Sequence, residues 1–290
     1  MSDWSIIDSH IGDATGQPFA SRDIQRVGGG CINSAFTLGD GERRFFVKLN
    51  EATLLDMFEA EADGLDEILA SQAIRAPAPV CTGVAGGQAY LVLEYLPLGG
   101  RGSADRLGRE LARMHRRHGE HFGWHRDNTI GSTPQPNARD DDWVHFWQHQ
   151  RLGHQLELAA RNGGQLGTQG EALLARVPDF FTDYRPAPSL LHGDLWSGNQ
   201  GYTADGQPVI FDPAVYYGDR EADLAMTELF GGFPAAFYRA YDEAWPLDPG
   251  YATRKTLYNL YHVLNHFNLF GGGYLGQARR MIGQLLSEVR

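Results

Sequence analysis

The sequence predicts an α+β protein in two lobes, a strand-rich N-terminal lobe over residues 1–96 and a mainly helical C-terminal lobe over residues 97–290. Three observations carry that expectation. Short apolar runs broken by glycine and proline fill the first hundred residues. A stretch rich in Pro, Gly and Arg, from Pro97 through Gly99-Gly100-Arg101-Gly102, interrupts them. Beyond it, apolar residues recur at helical spacing. At 290 residues the chain is long enough for two cores, and 42% hydrophobic with 21% charged residues is the composition of a folded protein.

Taken in order, residues 23–27 and 34–38 read as strands around a glycine turn, and Gly39-Asp40-Gly41 is a hairpin signal before a third strand at 45–49. A helix over 54–69 carries Leu54, Phe58, Leu65, Ile68 and Leu69 on one stripe; Pro77 and Pro79 follow it. Strands at 80–84 and 89–93 complete the first lobe. Ser103 is placed to cap a helix reaching Arg117. After a polar loop extending to Asp142, further helices are expected at 143–158, 170–181, 222–229 and 252–270. The last has Leu257, Leu260, Tyr261, Leu264 and Phe267 at a 3.6-residue period.

Net charge is −11, which disfavours nucleic acid or an anionic membrane as partner. No stretch approaches the ~20 apolar residues that span a bilayer, and Met1-Ser2-Asp3-Trp4 lacks the basic flank of a signal peptide. A cytoplasmic enzyme is the expectation. The basic residues are arginines except Lys48 and Lys255, so a lysine here marks a place where arginine does not serve. Cys31 and Cys81 make no disulfide framework or zinc spacing.

The chemistry is concentrated in His192-Gly193-Asp194-Leu195-Trp196-Ser197-Gly198-Asn199 and Val209-Ile210-Phe211-Asp212. Phosphoryl transfer from ATP needs a carboxylate to orient and deprotonate the attacking hydroxyl, and oxygen ligands for Mg²⁺ on the phosphates. The kinase catalytic loop supplies an Asp, an Asn five residues later and a second Asp at the end of the next strand. Asp194, Asn199 and Asp212 stand at those places, with Asp205-Gly206 as the turn between them. With the lobe order, this predicts a two-lobed protein-kinase-like fold. Asp194 is the expected base, and Asn199 and Asp212 are the expected metal ligands.

Upstream, Gly28-Gly29-Gly30 between two strands lets backbone N–H groups approach phosphates, although the loop departs from the GxGxxG pattern. Lys48 is the single charge in Phe45-Phe46-Val47-Lys48-Leu49, either an edge residue reaching solvent or the ligand of the ATP phosphates; the downstream motif favours the second. Its partner is expected on the following helix. Glu61 shares the inward stripe of Phe58 and Leu65, whereas Glu59 falls with Asp63, Asp66 and Glu67 on the polar face, so Glu61 is chosen.

These motifs together resemble the fructosamine kinase (ketosamine 3-kinase) family, relatives of aminoglycoside and choline kinases. The resemblance rests on Gly28 to Asn33, Met57-Phe58-Glu59-Ala60-Glu61, the loop 192–199, the segment from Tyr217 to Met226, Leu229-Phe230-Gly231-Gly232-Phe233, and Tyr261-His262 with Leu264-Asn265-His266 and Asn268-Leu269-Phe270-Gly271-Gly272. It implies transfer of the ATP γ-phosphate to the 3-hydroxyl of a ketosamine, with ATP and Mg²⁺ as cofactors. The acceptor is a small-molecule ketosamine or a glycated amine or protein, and the role is deglycation repair. It also implies that the backbone of Glu94-Tyr95-Leu96 meets adenine. A kinase of another small hydroxylated amine would keep the same catalytic residues and change the pocket. A non-catalytic nucleotide-binding protein of this fold is opposed by the intact Lys48, Asp194, Asn199 and Asp212.

For the acceptor, Trp196 offers an aromatic face two residues after the base. Asp219, Glu221 and Asp223 either meet a protonated amine, Asp219 first, or decorate a helix N-terminus. Cys31, directly after Gly30, either packs under the loop or acts as a thiol whose oxidation blocks the ATP site or links two chains; a monomer and a redox-linked dimer both stay open. Cys81 is expected to be inert in its strand. His262 and His266 lack the zinc-protease pattern and are expected to bond within the helical lobe. His115, His118, His121 and His125 are read as an exposed stretch with no role.

Overall fold

In the computed structural model, which describes residues 3–28 and 32–289, the N-terminal elements are α1 (Trp4–Thr15), β1 (Asp23–Val27), β2 (Ser34–Gly39), β3 (Arg44–Glu51), α2 (Leu55–Ala70), β4 (Pro79–Ala85) and β5 (Gln88–Glu94). Next come α3 (Ala104–His115), β6 (Asn128–Ile130), β7 (Thr133–Gln135), α4 (Trp143–Phe146), α5 (His154–Arg161), α6 (Gly167–Arg176) and β8 (Ser189–Leu191). The chain ends with β9 (Gln200–Tyr202), β10 (Pro208–Ile210), β11 (Tyr216–Gly218), α7 (Arg220–Leu229), α8 (Ala235–Ala244), α9 (Tyr251–Phe270) and α10 (Tyr274–Glu288). These fall into two units, Met1–Gly102 with Gly201–Asp212, and Ser103–Gln200 with Pro213–Arg290.

The first unit is built on an antiparallel sheet of order β1-β2-β3-β5-β4. Strand alternation sorts its side chains. Phe45, Val47 and Leu49 of β3 and Tyr90 and Val92 of β5 bury against Ile7 and Ile11 of α1. Lys48, between Val47 and Leu49, therefore projects to the opposite face, where its partner on α2 lies. That helix buries Met57, Phe58, Ala60, Leu65 and Ile68. The hairpin β9–β10 joins this unit by hydrogen bonds. Gly99 and Gly100 donate to the Tyr202 carbonyl, and Ile210 N donates to Arg75 O at 3.0 Å. The boundary thus falls after Gly102 instead of Leu96, and twelve residues of later sequence return to the first unit.

In the second unit α3 lies on α8, and α9 lies on α5, α7 and α10. Ser103 caps α3 through a bond from Arg106 N, and Asp142 caps α4 through one from His145 N. The single helix expected over 143–158 is a continuous helical run whose middle, Trp147–Gly153, is π-helical. Three helices have no counterpart in the sequence reading. They are α1, which buries Ile7 and Ile11, α8, which buries Phe237, Ala240 and Tyr241, and α10, which buries Ala278, Ile282 and Leu285. Among the described residues, no helix is long and apolar enough to cross a membrane.

Candidate active site

The first unit gathers three charged side chains that are far apart in sequence. Lys48, only 6% exposed, places Nζ 2.5 Å from Glu61 Oε1 and 2.6 Å from Asp212 Oδ1. A buried ammonium is tolerated only where carboxylates compensate its lost hydration. Burial alone would lower the Lys48 ammonium, but the charges of Asp212 and Glu61 outweigh it and hold the group above its ordinary range. The lysine chooses Glu61 over Glu59, as the inward stripe of α2 requires. Asp212 follows β10 with φ of +57°, a left-handed conformation that Asp tolerates better than most residues. Its side chain is 47% exposed, so the carboxylate pairs with Lys48 while keeping a face outward.

Gly28 follows β1 and is exposed; Gly29, Gly30 and Cys31 lie outside the described residues. Glu94 ends β5. Its backbone N–H donates to Ala78 O at 2.8 Å, and its carboxylate accepts from Ala78 N and pairs with the Arg75 guanidinium. Leu96 is half-buried two residues later.

The second unit carries the loop expected to be catalytic. β8 pairs with β11, Leu191 opposite Tyr216, and delivers the chain into His192-Gly193-Asp194. Gly193 has φ of +82°, and a Cβ there would sit 2.0 Å from Ala214 O, so only glycine fits. Ala214 N donates to His192 O at 2.8 Å. The buried carboxylate of Asp223 accepts from His192 N at 2.7 Å and Gly193 N at 2.8 Å. Asp223 also meets His115 Nε2 at 3.1 Å, and His115 Nδ1 meets Tyr241 OH at 2.8 Å. Burial alone would raise the Asp223 carboxyl, but the His115 bond and the loop amides outweigh it and keep it below its usual range. Asp194 is half-buried; Asn199, itself buried, donates Nδ2 to the Asp194 carbonyl at 2.9 Å and lies 3.4 Å from its Oδ2. The five-residue spacing thus closes into one short loop. Trp196 is 38% exposed and stands edge-on to Phe230, ring centroids 6.5 Å apart.

Two expectations are corrected. Asp219 and Glu221 are fully buried and committed, so neither presents a carboxylate to a substrate amine. Asp219 caps α7, accepting from Glu221 N at 3.0 Å and Tyr184 OH at 2.9 Å on Oδ1 and from Tyr258 OH at 2.5 Å on Oδ2. Glu221 is held by two hydrogen bonds from Arg254, at 2.8 and 3.1 Å. The third member of that trio, Asp223, anchors the catalytic loop. His115, read as exposed, is fully buried and holds Asp223. Its signal was present, since it stands at the inward end of a helix whose buried positions include Leu107, Leu111 and Met114. Of the later pair, His266 Nδ1 bonds to His262 O at 2.8 Å, while His262 Nδ1 is buried without a hydrogen-bond partner.

An antiparallel sheet with its buried Lys–Glu pair, followed by a helical unit carrying an Asp/Asn loop, defines a kinase of the protein-kinase-like fold. The same fold occurs in the Streptococcus pneumoniae choline kinase LicA, at 13% identity, a TM-score of 0.63 and coverage of 98% of this chain and 99% of that one. Residues 3–288 match the family model described as fructosamine kinase, and the chain belongs to that family. It is 53% identical over 287 residues to a Synechocystis protein named "Probable ketoamine kinase", covering 98% of this chain and 97% of that one. It is 44% identical over 273 residues to the chloroplastic protein-ribulosamine 3-kinase of Arabidopsis thaliana, covering 92% and 83%. Among solved structures, a Haemophilus somnus protein described as a candidate fructosamine-3-kinase superposes with a TM-score of 0.92 at 30% identity, covering 98% of this chain and 97% of that one.

Proposed function

We infer that this kinase transfers the γ-phosphate of ATP to the 3-hydroxyl of ketosamines of the fructosamine and ribulosamine type, and that the reaction initiates deglycation. The observation that carries the kinase half is the meeting of Lys48, Glu61 and Asp212 around one buried ammonium, groups drawn from a strand, a helix and the turn after a second strand. Such an arrangement is costly unless a polyanion uses it. The 3-hydroxyl is supported by the name of the Arabidopsis relative.

In this reading Lys48, positioned by Glu61, neutralises the phosphates, and the backbone of Glu94 and Leu96 receives adenine. Gly28, directly after β1, would bring its backbone toward the phosphates. Asp194 accepts the proton of the attacking hydroxyl; Asn199, bonded to the Asp194 backbone carbonyl, steadies the loop that carries it. Asn199 and Asp212 supply an amide oxygen and a carboxylate. These hard donors suit Mg²⁺, which binds through one or two protein ligands plus nucleotide phosphates. Held there, the ion would neutralise charge on the phosphates. Trp196, partly exposed two residues from the base, stacks on the sugar or on the carbon chain of the amine. The negative net charge suits a cationic acceptor at long range.

The test is ADP release across a panel of fructosamine and ribulosamine adducts, free fructose and ribose, an aminoglycoside and choline. Ketosamines should give the highest kcat/KM, and Asp194→Asn should lower kcat on them by roughly 10²-fold or more. Faster turnover of the aminoglycoside or choline would refute the substrate assignment; near wild-type turnover in Asp194→Asn would refute the base.

A further inference from the structure

Burying a guanidinium without a carboxylate is expensive, and the second unit does so next to the catalytic loop. Arg151 lies in the π-helical segment Trp147–Gly153 and is fully buried. The wider turn inserts an extra residue and re-aims the side chains that follow it. A Cβ on Gly153 would stand 2.4 Å from Gln148 O, so the segment is built around that glycine. The partners of Arg151 are the carbonyls of Pro136 at 2.6 Å and Gln150 at 3.0 Å and Asn137 Oδ1 at 2.6 Å, with the rings of Tyr216 and Phe146 at 4.0 and 4.6 Å. None is an anion, and among the described residues Nε has no hydrogen-bond partner.

From Arg151 a chain of buried amides leads to the segment that follows Asp212. Asn137 donates to Asn128 Oδ1 at 2.9 Å, and Gln135 donates to the same oxygen at 2.8 Å. Asn128 donates to Val215 O at 2.8 Å, Gln135 donates to Ala214 O at 3.2 Å, and Tyr261 OH donates to Gln135 Oε1 at 2.6 Å. Ala214 N in turn holds His192 O. A second route runs through Tyr216, which lies under the guanidinium and pairs across the strands with Leu191, the residue before His192. Both routes end on the backbone that carries Asp194.

We propose that Arg151 is a positioning residue for the phosphotransfer reaction, acting through the Asn137–Asn128–Gln135 amides and Tyr216 to set the catalytic loop. The assignment rests on the reading of Asp194 as the base. A buried planar fork that bridges Pro136 O and Asn137 fixes its neighbours in a way that a lysine or an apolar chain cannot. Small displacements of a base from its hydroxyl cost up to about 10²-fold in rate, with little effect on ground-state binding.

The test combines Arg151→Met, Arg151→Lys, Gln135→Leu and the double variant Arg151→Met/Gln135→Leu, with Asp194→Asn alongside. Each variant's melting temperature and its KM for ATP are read beside kcat. Arg151→Met and Gln135→Leu should each lower kcat about 10- to 100-fold, with KM for ATP within about threefold, and Arg151→Lys should recover only part of the loss. The double variant should fall no further than the worse single one, because Arg151→Met already releases the amide route that Gln135→Leu cuts. Arg151→Met turning over within about twofold of wild type, or losses that multiply in the double variant, would overturn the proposal. Should Arg151→Met not fold, Arg151→Lys with wild-type kcat overturns it alone. Loss of activity in Asp194→Asn beside full activity in the Arg151 variants removes only the positioning role. Activity retained in Asp194→Asn removes the reading beneath it.

Discussion

Replacing Asp219 with alanine should damage stability and leave substrate preference untouched. The carboxylate accepts three hydrogen bonds, from Glu221 N, Tyr184 OH and Tyr258 OH, in a fully buried setting. Burial pushes the Asp219 carboxyl up, against the donors and the Arg254 charge that favour its ionised form, so the site is finely balanced. Truncation removes a helix cap, worth about 1 kcal/mol. It also strands the buried Tyr258 hydroxyl and the half-buried Tyr184 hydroxyl, at ~1–3 kcal/mol each. Relief of repulsion with Glu221 offsets part of that, which leaves a net loss of about 3–4 kcal/mol. At about 2–4 °C per kcal/mol for a unit of this size, the melting temperature should fall on the order of 10 °C. Asp219→Asn, which keeps one acceptor, should lose roughly half as much. The assays are thermal and urea unfolding together with kcat/KM on a ketosamine and on its free sugar. A variant that melts like wild type while its ketosamine-to-sugar ratio collapses would refute the reasoning and return Asp219 to the substrate.

Three further outcomes follow from the chemistry of other residues. Burial and the nearby His266 push His262 down to about 3 from its ordinary 6.5, so the folded protein holds it neutral. Its contribution is complete above pH 6.5 and is lost as pH falls toward 3. At pH 5 the loss should be about 2 kcal/mol in urea unfolding, and His262→Gln should flatten that slope; an unchanged slope would contradict the assignment. Gly193→Ala should destabilise the catalytic loop, lowering kcat and stability together; a fully active Gly193→Ala would contradict the 2.0 Å clash with Ala214 O. Peroxide should inhibit the enzyme and dithiothreitol restore it through Cys31, whereas Cys81, whose thiol burial pushes up to about 11, should not respond; Cys31→Ser that stays sensitive would end the redox reading.

The sheet of the first unit and the long helices were legible because their periods are strong. The 3.6-residue stripe of α2 was enough to choose Glu61 over Glu59. The helix α1 was not recognised, although Trp4, Ile7 and Ile11 share a face, because polar residues fill half of its twelve positions and its apolar face exists only against the sheet. Asp194, Asn199 and Asp212 stood out because the chemistry proposed for them fixes their identities and spacing. The supporting residues did not. Asp219, Glu221 and Asp223 have the same composition as a substrate-facing acidic cluster, and only packing shows that tyrosines, an arginine and backbone amides already surround them. Arg151 carries no local motif, since its role depends on a π-turn that a helical period conceals.

The central claim is that Asp194 directs the γ-phosphate of ATP onto the 3-hydroxyl of a ketosamine. Phosphorus NMR of the product formed from ATP and a ribulose–lysine adduct reads this directly. The account predicts one phosphomonoester signal coupled to the proton on sugar carbon 3, formed by wild type and absent over the same period with Asp194→Asn. A signal coupled to another carbon would contradict the regiochemistry, and equal product from Asp194→Asn would contradict the catalytic assignment itself.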